Sequence, residues 1–226
     1  MSHTFWSSLT NLSSSGIEGG VHIPEVDADH AEGLLSGTPV LTPYGSLDVS
    51  EIRPGAMVET FEDGLREVRA VVQRRIWGSR VDRSVDQWPF YIPDGVLGND
   101  RPLALLPHQA VLFECDQLET MAGDPFVLVP VRALEGFRGI TPMQPKAEAL
   151  VHHLLFDRPE VVGIAGGTYV LNDYRLSSCV ARGEVVEIAG CRALSVDGGR
   201  AFMGLLENGY CRGCTGHACR GRGSFD

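Results

Sequence analysis

Three thiols and an imidazole lie close together near the end of this sequence, as Cys211-x2-Cys214-x4-Cys219 with His217 between them. Thiolates and imidazoles at such short spacing can fold around a tetrahedral Zn2+ ion, and Cys179 or Cys191 can supply a fourth ligand in place of His217. Four of these five late cysteines also suit an iron–sulfur cluster. Arg212, Arg220 and Arg222 beside them would lower thiol pKa, favouring metal binding or disulfide exchange alike. The same Gly/Cys/Arg composition equally describes a disordered tail with free thiols. A second set of reactive groups is scattered: the Ser36 hydroxyl and the imidazoles of His108 and His153. A serine attacks a carbonyl only with a base beside it. Ser36, followed by Gly37, reads as a turn serine. His153 alternates with apolar neighbours and reads as a core histidine satisfied by a backbone carbonyl. Cys115 follows an apolar strand and reads as a small core hydrophobe.

The elements that must carry these groups read as strands. Val-rich alternating segments broken by Gly and Pro recur along the chain, and helix-period runs are scarce. Residues 38–42 alternate, and Pro43-Tyr44-Gly45 turns the chain. Ile52-Arg53-Pro54-Gly55 is a second turn, 56–61 the returning strand, and Glu62-Asp63-Gly64 a hairpin turn. Residues 67–77 read as one long strand, followed by a charged loop over 78–87. Further strands are expected at 103–113 and 126–130, around a small loop at 114–125. A single short helix is expected near Val131-Arg132-Ala133-Leu134. Residues 147–156 and 160–164 read as a hairpin joined at Asp157-Arg158-Pro159, and short strands are expected at 185–188 and 191–196.

Composition bounds the function. With 226 residues and 43% hydrophobic content the chain is long enough for a real core. The 27 glycines and 13 prolines sit between apolar segments as turn punctuation. A net charge of −10 argues against non-specific binding to nucleic acid or an anionic membrane, both of which need excess Lys and Arg. No apolar run is long enough to span a bilayer. The first 20 residues lack the cationic start and apolar run of a signal peptide, so cytoplasmic synthesis is expected. Residues 1–31 are polar and expected to be flexible, solvated or packed on the protein's own body, with Phe5, Trp6, Leu9 and Leu12 at near-helical spacing as an alternative docking stripe for a partner.

The segment 33–45, GLLSGTPVLTPYG, and its continuation LDVSEIRPGAMV over 47–58 resemble the opening of the Hint (Hedgehog/intein) family. In bacterial members that opening runs roughly Cys-Phe-x-x-Gly-Thr-x-Ile-x-Thr-Pro-x-Gly, then Val-Glu-x-Leu-x-x-Gly-Asp-x-Val. Phe90 to Gly98 resembles the family's Val-x-Ile-x-x-Gly-Ala-Leu-Gly segment. VHHLLFDRPEVV over 151–162 resembles its Val-His-Leu-Leu-x-Asp-Arg-His-Glu-Val-Val block, with His153 at the first histidine and Pro159 at the second. The resemblance covers about residues 33–172.

Hint domains cut or rearrange their own backbone, so the resemblance implies an N-terminal thiol attacking the carbonyl before it and an acid protonating the departing amide. Here the scissile bond would be Glu32–Gly33, and Gly33 has no nucleophile. In the family's Ser/Thr-Pro-x-His block, Leu106 takes the hydroxyl position and Gln109 the histidine position. His108 is displaced by one residue, which on a strand turns it to the other face. Gly166 stands where the family has Ala-Asn-Gly. The expectation is a mainly β, Hint-like horseshoe of curled hairpins with one or two short helices, spanning 32–172 between an arm (1–31) and an extension (173–226). Its expected function is that of a catalytically degenerate Hint module, a pseudoenzyme and structural or binding component of a larger protein assembly. Protein partners would be met through the arm or tail, with either no cofactor or Zn2+ at Cys211, Cys214, His217 and Cys219. The competing reading is self-cleavage at Glu32–Gly33 through another nucleophile, such as Ser36.

Overall fold

A computed structural model describes residues 32–77, 85–115, 124–145, 148–172, 186–188 and 191–207. The 1–31 arm, Cys179 and the Cys211, Cys214, His217 and Cys219 cluster lie outside the described residues. Among the described residues sixteen strands run in order: β1 Leu34–Leu35, β2 Pro39–Thr42, β3 Gly45–Asp48, β4 Met57–Thr60, β5 Gly64–Glu67, β6 Ala70–Ile76, β7 Phe90–Ile92 and β8 Leu103–Leu105. They continue as β9 Ala110–Glu114, β10 Phe126–Pro130, β11 Thr141–Pro142, β12 Ala149–Leu155, β13 Val161–Ile164, β14 Thr168–Leu171, β15 Val186–Ile188 and β16 Cys191–Ala193. Among the described residues an α-helix, α1, spans Val196–Glu207. The fold is mostly β, as the residue pattern predicts.

Among the described residues the strands form three sheets. The large one runs β15-β16-β10-β9-β14-β13-β2-β3, with β4 also on β13 and β5 on β4. A second joins β1, β12 and β6, and a third joins β11, β7 and β8. Val40, Ile52, Val58, Ile92, Leu105, Val129, Leu134 and Ile164 lie in the main core, and Cys115 is buried there too. Cys191 is buried in a smaller apolar cluster, inside β16. Alternation places these side chains inward while the tip of the β2–β3 hairpin leaves Tyr44 in solvent.

Four expectations need correction. Residues 67–77 are not one strand: Glu67 ends β5, Val68-Arg69 interrupts, and β6 follows from Ala70 to Ile76. The Val68 amide and carbonyl still bond to Ala56 and Gly55, whereas the Arg69 amide already bonds to Leu155. The chain changes sheets there. Residues 149–155 and 161–164 are strands but form no hairpin: β12 pairs with β1 and β6, and β13 with β14, β2 and β4. Asp157-Arg158-Pro159 therefore passes the chain from one sheet to another. Residues 103–113 are also divided, because Leu106 to Gln109 form a turn closed by the Gln109 amide on the Leu106 carbonyl at 3.1 Å. Pro107 has no amide hydrogen for a ladder, so the strand stops there. Finally, Val131–Leu134 is a 3-10 turn, and the α-helix among the described residues is α1. Gly198, Gly199 and Gly204 lower its helix propensity and hid it. Its start is fixed by Ser195, whose hydroxyl oxygen accepts from the Gly198 amide at 3.1 Å.

Candidate functional site

The site begins where β1 lies antiparallel to β12, with Leu34 opposite His152 and Leu35 opposite Val151. Side chains alternate along both strands, so β12 presents Val151 and His153 on one face and His152 on the other. Gly33 sits at the head of β1 with φ of +103°, a region that side-chain-bearing residues rarely adopt. A Cβ at this position would lie 2.5 Å from Val151 Cγ1 and 2.7 Å from His153 Cε1. The space a side chain would need is already filled.

The Gly33 amide donates to Gln109 Oε1 at 3.0 Å, and Gln109 Nε2 donates to the Leu171 carbonyl. Gln109 thus clamps the Glu32–Gly33 peptide to the end of β14, with its side chain fully buried. The position to which the sequence register assigns the acid does face the amide nitrogen. An amide side chain there accepts a hydrogen bond but has no proton of useful acidity to give. Leu106, at the hydroxyl position, is buried against Leu35 and Val151. His108 lies in the turn, half-buried. Strand alternation is not what separates His108 from the Gly33 amide, since the segment is no strand; the turn presents Gln109 instead.

His153 is 7% exposed. Burial, with the Arg74 and His152 charges adding, pushes its imidazole down to about 4, so it is neutral at pH 7. Gly166, far along the chain, has φ of +81° and packs on Asp100, where a Cβ would come within 2.7 Å of the Asp100 Cβ. Asn tolerates that backbone region, but its Cβ would press on Asp100, so glycine is the residue that suits this packing. Ser36 is a turn serine, as expected: the Thr38 amide closes the turn on the Leu35 carbonyl at 3.0 Å, with Gly37 at φ of +94°. It is also more. Its hydroxyl lies 2.8 Å from Nε2 of His152, a residue the motif comparison passed over. The signal was the His152-His153 doublet, since adjacent strand residues must serve opposite faces. Asn172 is a second such residue: it donates to the Leu154 carbonyl and accepts from the Leu154 amide at 3.4 Å, fastening β12 beside the Gln109 clamp.

With this geometry in hand, the comparisons are direct. The Hint domain profile matches residues 33–169. The chain belongs to the Hint domain family. Similar solved structures include a bacterial intein-like domain from Clostridium thermocellum, at 13% identity over 63% of this chain and 99% of that one, with a TM-score of 0.42. A splice-inactive variant of the AceL NrdHF class 3 split intein is similar at 15% identity over 62% of this chain and 97% of that one, TM-score 0.41. The MchDnaB-1 intein follows at 12% identity, 62% and 99% coverage, and TM-score 0.38. No curated protein matches the chain. The match opens at Gly33, the residue that Val151, His153 and Gln109 enclose. Among the described residues no cluster of His, Cys, Asp or Glu could hold a metal, and no helix is long and apolar enough to cross a membrane.

Proposed function

We propose that this Hint domain holds its first peptide bond rather than breaking it, and serves as a structural or binding module of a larger protein assembly. The supporting observation is the enclosure of Gly33: no nucleophile, no volume for one, and a glutamine in place of an acid on the amide nitrogen. His153, neutral and buried, is in no state to donate a proton at pH 7. Ser36 is a poor substitute for cleavage at Glu32–Gly33. Three extended residues place it about 10 Å along the strand from Gly33, and its hydroxyl is turned to His152. On this reading the arm and the Cys/Gly/Arg tail are the attachment elements, and a protein is what they attach to.

Intact-mass spectrometry of the purified chain, incubated with and without added thiol, tests the reading. One species of full mass is expected under both conditions. A fragment ending at Glu32 overturns it.

A further inference from the structure

The face of β12 opposite the Gly33 enclosure carries a pairing that the module reading leaves unused. Ser36 is exposed at the tip of its turn, and its Oγ is 2.8 Å from Nε2 of a wholly buried His152. With the imidazole proton on Nδ1, Nε2 accepts from the serine hydroxyl, which is the arrangement a nucleophile and its base require. Nδ1 has no hydrogen-bond partner among the described residues. Asp48 is held in place by the Ser50 amide at 2.8 Å and the Gly37 amide at 3.2 Å, and its charge acts on His152. The Gly37 bond ties the carboxylate to the turn that carries Ser36.

We propose that Ser36 and His152, supported by Asp48, form a nucleophilic site that takes the acyl group of small activated carboxylic esters. Ser36 Oγ attacks the ester carbonyl while His152 Nε2 takes the hydroxyl proton. The C–O bond to the alcohol then breaks, and the proton leaves on the departing oxygen, giving acyl-Ser36 and free alcohol. Water, deprotonated by the same Nε2, attacks the acyl carbon; the carboxylic acid leaves and the serine hydroxyl is restored. Burial chiefly keeps His152 below its ordinary pKa, with Asp48 pulling it up and Arg53 pushing it down. The imidazole is therefore a free base at pH 7, and the Asp48 charge favours the imidazolium that forms on proton transfer.

The site lies on the other face of the ladder from Gly33 and has no need of the Glu32–Gly33 bond, so it goes beyond the module reading and does not depend on it. The test uses the full chain with an alkyl fluorophosphonate, in which Oγ–P forms, P–F breaks and fluoride leaves. One adduct per chain is expected, located by peptide mass at Ser36. Ser36→Ala abolishes it, and His152→Gln slows it about 100-fold, the usual worth of a general base. Because His152 is buried and its replacement can disturb folding, Ser36→Cys gives a second readout. The thiol at position 36 should be alkylated by iodoacetamide at pH 7 at least about tenfold faster than N-acetylcysteine, as a thiol paired with an imidazole ionises more readily. No adduct, an adduct elsewhere, the same rate in a folded His152→Gln variant, or an ordinary thiol rate overturns the proposal.

Discussion

Gly33 is the residue whose replacement says most. Any side chain there meets both a positive φ and two fixed neighbours, Val151 and His153. Gly33→Ala should cost about 2–4 kcal/mol, combining backbone strain with overpacking, and Gly33→Cys should cost as much without restoring cleavage. Urea unfolding gives the first result and intact mass the second. His153 makes a separate prediction about acid. Its folded pKa of about 4 lies below the ordinary value of 6.5, so the unfolded chain binds the proton first. Stability from this group is complete above pH 6.5 and falls as pH drops towards 4, by up to about 3 kcal/mol. His153→Gln should flatten that part of the pH–stability curve; an unchanged slope between pH 4 and 6.5 contradicts the assignment.

At the scale of elements, α1 shows how two glycines in one helix can mean opposite things. Gly199 packs on the Val131–Leu134 turn, and a Cβ there would come within 2.6 Å of the Ala133 Cβ and 3.0 Å of Val129 Cγ1. Gly204 faces open space. Gly204→Ala should therefore stabilise by about 0.5–1 kcal/mol through helix propensity alone. Gly199→Ala should lose about 1–3 kcal/mol despite the same propensity gain. Thermal melts of the two variants, expected to shift in opposite directions, check the pair. The strands were legible because alternation is a local signal: the β2–β3 and β4–β5 hairpins are where the turn residues put them. Which sheet a strand joins is not local. β5 and β6 look like one strand, and β12 and β13 like a hairpin, because nothing near Val68 or Pro159 records that the partner changes.

For the whole molecule, the described residues beyond the Hint match are part of the same packing. β16 runs parallel to β10, with Val127 opposite Arg192 and Leu128 opposite Ala193. Phe202 of α1 meets Phe113 of β9 edge-on, with ring centroids 6.0 Å apart. Ending the chain after residue 172 should uncover β10 and lower the melting temperature by several degrees, at about 2–4 °C per kcal/mol lost for a chain of this size. Differential scanning calorimetry of the two chains checks this; an unchanged melting temperature means the extension adds nothing. The sequence showed the family and the vacancy at Gly33 well. It showed the enclosure of that vacancy poorly, because Val151, His153 and Gln109 reach Gly33 from strands far downstream. It showed the Ser36–His152 pair not at all, since 116 positions separate the two residues.

Those separations also set an order in time. The clamp on the Glu32–Gly33 peptide needs Gln109, 76 positions later, and its strand partner β12 comes later still. A ribosome adding residues at about 5–20 per second delivers the whole of β12 only some ten seconds after Gly33. Until then the peptide bond that the finished fold clamps through Gln109 meets a protease with no cover.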